Sequence, residues 1–432
     1  MAFRRRFGVL TIFQFYFSSP PTELLATIQH PQRHHLEADL VAFATACGHA
    51  RVEATSQTRR KYWSHWRRYA KSFRTCAYLD KRRTSYKTKV NVVGGFAARV
   101  RTGYFGNNRQ VSVATVRTAL SAVGKTIAMD TGRNPLLLKG SDSKYLPPLQ
   151  DALTSWRKND GPTNKKLPVE VDVPAYLART AYKTNESALD KRVGDLSLVA
   201  FYYLLRVGEY TVKSSRRNTK QTTQFRMKDI AFYVKDDQGR LRQLPRHATD
   251  KWILTKAVGA TLRLTNQKNG WKNVCIHQHA TGDLFICPVK ALARIYCEIR
   301  KHTRDPHCFL STYWDENDIK RDVTHRHISN GVKVAALALN YPAYRGIDID
   351  KVDTHSLRAG GANALSLAGY SETQIQKMGR WRGETFKEYI SDQLANASEG
   401  MSKAMSKTFK FVCISGGILN DVTSRTINTN YN

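Results

Sequence analysis

Carboxylates are scarce in this sequence: 35 Asp and Glu stand against 69 Lys and Arg in 432 residues, a formal charge of +34. So lopsided a balance excludes a protein indifferent to polyanions and makes nucleic acid the default partner. Long apolar runs are also missing. No stretch approaches the roughly 20 residues that cross a bilayer, so the partner reads as nucleic acid and not as membrane.

A cysteine framework is absent as well. The seven cysteines, Cys47, Cys76, Cys275, Cys287, Cys297, Cys308 and Cys413, are odd in number and scattered. They read as reduced thiols in the nucleus of a eukaryote, or otherwise in cytoplasm, and not as a secreted scaffold. Metal and nucleotide motifs are thin. Cys275, His277 and His279 alternate along a strand without the spaced second pair of a zinc site. Gly124-Lys125-Thr126 ends like a phosphate-binding loop, but Ala119 stands where the first glycine belongs and the tract is helical. No cofactor is expected.

What is present falls into five parts. Residues 1–36 carry Arg4-Arg5-Arg6, an apolar stretch from Phe7 to Phe17, and Ser18-Ser19-Pro20-Pro21. This mimics a signal peptide, but Gln14 interrupts it and no small-residue cleavage site follows, so it reads as a disordered arm and not as an export signal. Residues 37–157 read as a compact, all-helical DNA-binding domain. In SQTRRKYWSHWRRYAKSF, Trp63, Trp66, Ala70, Phe73 and Ala77 recur at helical spacing, and Arg59, Arg60, Lys61, Arg67, Arg68, Lys71 and Arg74 fall mostly on other faces. Residues 51–110 hold 16 Lys and Arg against Glu53 and Asp80 alone. A second helix, Val113 to Met129, aligns Val116, Leu120, Val123 and Ile127. Residues 158–170, rich in Gly, Pro and charge, read as a linker.

Residues 171–395 mix helices with a small antiparallel sheet. Arg206 lies in the apolar run Leu204-Leu205-Arg206-Val207-Gly208-Glu209-Tyr210 and needs a partner there, which Glu209 can supply either as a structural ion pair or to orient it. Ile230, Phe232 and Val234 alternate as one strand, and Leu262 and Leu264 as another. Asn269-Gly270 marks a turn before a returning strand from Trp271 to Ile276, with Lys268 at the tip. Pro288 opens a helix striped by Leu292, Ile295, Tyr296 and Ile299, and another follows near Ile328 to Leu339. Residues 396–432 read as one more helix and a loose tail.

The most informative stretch is Asp353 to Ile390. Thr354 is placed to cap a helix whose first turns carry His355 and Arg358 on one face, near an end that favours anions. Gly369 stops that helix. Ser371 and Gln374 form a capping box for a second, ending at Gly379, and Arg380 and Trp381 open a loop. A third segment, Glu384 to Ile390, places Phe386 and Ile390 on one side and leaves Tyr389 near its end.

H-x-x-R, then G-R-W, then a tyrosine eight residues past the tryptophan resembles the C-terminal half of the tyrosine recombinase (phage integrase) family. Taken in order, Arg206, Lys268, His355, Arg358, Trp381 and Tyr389 resemble its full active-site set, over about residues 170–395. LLRVGEYT, Cys287-Pro288-Val289 and MGRW are most similar to the Crypton and DIRS recombinases of eukaryotic mobile elements. Two departures stand out: a histidine is common where Trp381 lies, and the Trp-to-Tyr spacing is one residue shorter than in many bacterial and phage enzymes. Lys272 is the alternative to Lys268.

The resemblance implies an all-helical core-binding domain followed by an α+β catalytic domain. It also implies a homotetramer on paired DNA sites and cleavage of DNA through a 3′-phosphotyrosyl link without metal or ATP. Arg206 and Arg358 would fork the non-bridging phosphate oxygens, and His355 would be acid/base or phosphate ligand. Trp381 would donate its indole N–H or wall the pocket, Tyr389 would attack, and Lys268 would protonate the leaving 5′-oxygen. The rival readings are a type IB topoisomerase-like nicking and resealing activity, and a domesticated DNA-binding protein without catalysis.

Overall fold

The computed structural model describes residues 39, 42–43, 53–79, 84–161, 165–184, 186–212, 224–265 and 273–387. Most of these residues are helical, and a four-stranded antiparallel sheet lies in the C-terminal part. The fold class expected from the sequence is the one observed.

Among the described residues the N-terminal unit contains the helices α1 (Glu53–Ser72), α2 (Tyr86–Arg101), α3 (Val113–Thr131) and α4 (Pro147–Lys158). Their inner faces follow the apolar stripes. Trp66 and Ala70 of α1 are fully buried, and Val116, Leu120, Val123 and Ile127 of α3 face them in one core. The Trp66 indole satisfies its N–H on the Ala77 carbonyl at 2.7 Å, which fixes the chain after α1. Phe73, expected on the same stripe, is exposed because α1 ends at Ser72 and the chain turns away. Asp160 closes the unit by accepting from the Val113 N–H at 2.9 Å and from Arg101.

A separate core begins at Val169. Its first helices are α5 (Asp172–Lys183) and α6 (Ala188–Tyr202), followed by the single turn α7 (Val207–Tyr210). α6 is buried on most sides, with Leu196, Leu198, Val199 and Ala200 fully covered, as its near-continuous apolar sequence requires. The main sheet comprises β1 (Ile230–Lys235), β2 (Leu241–Gln243), β3 (Gly259–Leu264) and β4 (Val274–His279), in the order β2-β1-β3-β4. A short helix, α8 (Asp250–Lys256), links β2 to β3. The described β3–β4 pairing ends at Leu264↔Val274. The connection that carries Lys268, Asn269-Gly270, Trp271 and Lys272 lies outside the described residues.

Next comes α9 (Pro288–His302), with Pro288 at its first position and the Cys287 sulfur accepting from the Lys290 N–H. Leu292, Ile295 and Ile299 are buried as the stripe requires. A two-stranded sheet, β5 (Thr312–Trp314) and β6 (Lys320–Asp322), was not legible in the sequence: three residues per strand carry too little alternation. The remaining helices are α10 (His325–Ala338), α11 (Tyr341–Arg345), α12 (Thr354–Leu367) and α13 (Glu372–Gly379), and a 3₁₀ turn at Glu384–Phe386 follows.

The second half of the expected linker is part of this unit. Leu167 N–H donates to the Lys351 carbonyl at 2.8 Å and Val169 N–H to the Ser356 carbonyl at 3.3 Å, so residues 167–169 run alongside the start of α12. The helix expected over Ala397 to Lys407 lies outside the described residues, as do residues 1–36.

Candidate active site

The site is organised by the turn that ends α6. Leu204 N–H bonds the Phe201 carbonyl at 3.4 Å and Leu205 N–H reaches back to Ala200 at 3.0 Å, with Leu204 in the left-handed region at φ 48°. This is a Schellman stop with leucine where glycine is usual. The turn presents one peptide oxygen, that of Leu204, to two arginines from a distant part of the chain. Arg358 donates Nη1 to it, and Arg380 donates Nη2 at 2.8 Å.

α12 reaches this turn because it carries two adjacent glycines. A β-carbon on Gly360 would lie 1.8 Å from the Val169 carbonyl oxygen, and one on Gly361 would lie 2.3 Å from the Phe201 oxygen. No larger residue fits at either place. The helix starts one residue earlier than Thr354 would have it: Asp353 is the cap, its carboxylate accepting from the His355 N–H at 2.7 Å, and Ser356 Oγ accepts from the Asp353 N–H at 3.0 Å. The carboxylate is the stronger acceptor for the helix-start amides.

Arg206 caps α7, and Glu209 is its partner: the carboxylate accepts from the Arg206 backbone N–H at 2.9 Å and from Nη1 at 3.4 Å. The Arg206 side chain remains 27% exposed, which leaves the guanidinium a path to an external anion. Glu209 has a second partner that the sequence did not disclose. Arg380 Nη1 sits 3.3 and 3.2 Å from its two oxygens, with both side chains buried. Burial of the Arg380 guanidinium outweighs the Glu209 charge and lowers its pKa. No local signal marks this pair, since its members are 171 residues apart; the nearest hint was an arginine set between Gly379 and Trp381.

Arg358 is 1% exposed. Its Nη2 donates to the Gly379 carbonyl, and its guanidinium lies 4.4 Å from the centre of the Trp381 ring. Trp381, itself 7% exposed and packed with Phe386, walls the cluster. Arg358, expected with Arg206 to fork the phosphate oxygens, lies beneath the Trp381 ring in this structure. Gly379 makes that cover possible, for a β-carbon there would fall 1.5 Å from Trp381 Cζ3.

His355 is exposed on one side and packed on the other. That partial burial, and then the Arg358 and Arg206 charges, lower its pKa against the opposing pull of Asp353, so the neutral imidazole is favoured. Arg206, His355 and Arg358 thus lie within electrostatic reach of one another. Three guanidiniums face the carboxylates of Glu209 and Asp353, which leaves the cluster positive. Lys268, Lys272 and Tyr389 lie outside the described residues; the chain is described to Lys387.

The basic helix provides a second surface. Arg60, Lys61, Arg67, Arg68, Lys71 and Arg74 are all exposed. Arg60, Arg67, Lys71 and Arg74 line a concavity of about 1170 Å³ with Trp63 and Phe73. Arg59 is a correction: it is 7% exposed and points into the unit, its Nη1 3.2 Å from the Met129 sulfur, because its helical phase sets it against α3.

The sequence matches no protein family profile and no curated protein. Among solved structures it is similar to the Tn1549 transposon integrase in complex with transposon right end DNA, at 9% identity over 76% of this chain and 90% of that one, TM-score 0.37. It is similar to the XerH site-specific recombinase bound to palindromic difH substrate, at 14% identity over 74% of each chain, TM-score 0.43. It is also similar to the XerA recombinase, at 15% identity over 81% of this chain and all of that one, TM-score 0.33.

Proposed function

We propose that this protein breaks and rejoins duplex DNA through a tyrosyl intermediate, as a site-specific recombinase serving a mobile element. The observation that carries the reading is the convergence of Arg206, His355 and Arg358 on the turn at Leu204, fastened by Glu209 and Arg380. A net-positive cluster with one guanidinium and one neutral imidazole open to solvent suits a scissile phosphodiester.

In this reading Arg206 contacts a non-bridging oxygen, and His355 donates to or accepts from the phosphate. Arg358 and Arg380 act from beneath by their charge and by holding the turn in place. Tyr389 gives its proton to the neutral His355 and attacks phosphorus, and the DNA 5′-oxygen leaves with a proton from Lys268, or from Lys272. One phosphodiester replaces another, so the reaction is near balance without an energy source. The exposed face of α1 binds the duplex backbone by counterion release.

The test is a suicide substrate that loses its 5′-hydroxyl product by diffusion. Wild-type protein should become attached to the 3′-phosphate, with or without EDTA, and Tyr389→Phe should bind DNA without forming the adduct. An adduct in the Phe variant overturns the assignment of the nucleophile. Joining of two differently labelled duplexes separates recombination from nicking and resealing.

A further inference from the structure

A second site, built on a buried arginine, lies at the far end of α6, roughly 20 Å from the active cluster by the helical rise. A cavity of about 480 Å³ opens there between α5, α6, α8, α9 and β5. Arg192, near the start of α6, lines it and is 4% exposed. Its Nη1 donates to the Leu310 carbonyl at 2.9 Å and to that of Thr312. Among the described residues no carboxylate lies within ion-pair distance of this guanidinium.

The carboxylates around the cavity are otherwise engaged. Asp195 is held by Arg294, with Nη2 at 2.5 Å and Nε at 3.0 Å from Oδ1, and accepts from the Tyr182 hydroxyl at 2.7 Å on Oδ2. Glu298 pairs with Lys301 at 2.7 Å, and Asp250 with Arg300 at 3.2 Å. Asp195 is near enough to favour the Arg192 charge, yet burial dominates and lowers the Arg192 pKa. A buried guanidinium resting on two neutral carbonyls is costly, and a bound oxyanion removes that cost. Arg294 and Lys301 line the same cavity, each paired with a carboxylate that also lines it.

We propose that this cavity binds a small oxyanion, a phosphate or phosphate monoester, with Arg192 as its principal ligand and Lys301 at its rim. The volume lies in the range of small-molecule sites and leaves room for an organic body beyond the phosphate group. Occupancy stabilises the fold through α6, whose other end carries the Leu204 turn. The site is independent of the DNA chemistry proposed above.

The test titrates inorganic phosphate into the full-length protein at fixed ionic strength and pH, without DNA, and reads thermal unfolding. Wild type and Arg206→Ala should both show a saturable rise in Tm, and Arg192→Met should show none. Lys301→Gln should still fold and lower the phosphate-free Tm only slightly, since the pair it loses with Glu298 is exposed. It should move the half-effect concentration up about two- to five-fold, the scale of one exposed charge pair. This variant serves as the test if Arg192→Met does not fold. The proposal is overturned if chloride acts equally, if the rise survives Arg192→Met, or if Lys301→Gln leaves the half-effect in place. Loss of the rise in Arg206→Ala alone places the anion in the active cluster and also refutes it. A rise produced by duplex DNA but not by phosphate assigns the effect to the backbone and rejects a free ligand.

Discussion

Glu209 and Arg380 form an ion pair in which the side chains are 1% and 0% exposed, and the same carboxylate holds Arg206. The buried arginine therefore fixes the exposed one through a shared acid. Arg380→Met should lower stability by about 3 kcal/mol, the scale of a buried pair losing one member. Combining it with Glu209→Gln should cost less than the sum, because the uncompensated carboxylate disappears. Chemical denaturation of the four proteins of the cycle checks this; strict additivity counts against the pair.

Arg206 and Arg358 should respond differently to truncation. Arg206→Ala, at a partly exposed position, should reduce cleavage by about 100-fold or more while unfolding shifts by less than about 1 kcal/mol. Arg358→Ala should damage both, since the Gly379 carbonyl and the Trp381 face lose this partner and the Leu204 carbonyl keeps only Arg380. Equal stability losses in the two variants would contradict the placement of Arg358 under the tryptophan.

The pKa of His355 is lowered in the folded protein, so its contribution to stability has a definite sign. The unfolded chain binds the proton more readily, and stability falls as pH drops through the ordinary imidazole range toward the lower folded value. His65 and His277 are lowered too, so the measurement is a difference. His355→Gln should have a shallower decline between pH 7 and pH 5 than wild type in denaturant titrations. An unchanged decline removes His355 from the account.

Salt dependence separates the arginines of α1. Arg67→Ala, Arg68→Ala and Lys71→Ala should each reduce the log–log salt slope of duplex binding by about one unit or less. Arg59→Met should leave the slope unchanged and lower stability, because that side chain is packed against Met129. A slope change in Arg59→Met would return it to the DNA-contacting face.

The general acid is distinguished chemically. Lys268→Ala should slow cleavage by roughly 100-fold or more. It should recover on DNA with sulfur as the bridging 5′-atom, since a thiolate leaves without a proton. Rescue of Lys272→Ala in its place transfers the role to Lys272.

The helices were legible because their apolar stripes and caps are local: the Ser371–Gln374 box and the stop at Gly379 were readable and are present. The cap of α12 was misread by one residue because Asp353 and Thr354 are both competent caps and only the folded backbone chooses. At the site, Glu209 beside Arg206 was readable because three residues separate them. The Arg380 partnership, the Trp381 cover over Arg358 and the inward turn of Arg59 depend on which segments meet, and a single sequence does not contain that information.

The Leu204 carbonyl serves Arg358 and Arg380 together, on a residue whose backbone already occupies a sparsely favoured region. The two arginines therefore cannot be released one at a time by movement of this turn. Rotation of that one peptide plane takes a bond from each, while Arg358 keeps the Gly379 carbonyl and Arg380 keeps Glu209. The shared oxygen therefore couples the two arginines to each other and to the end of α6.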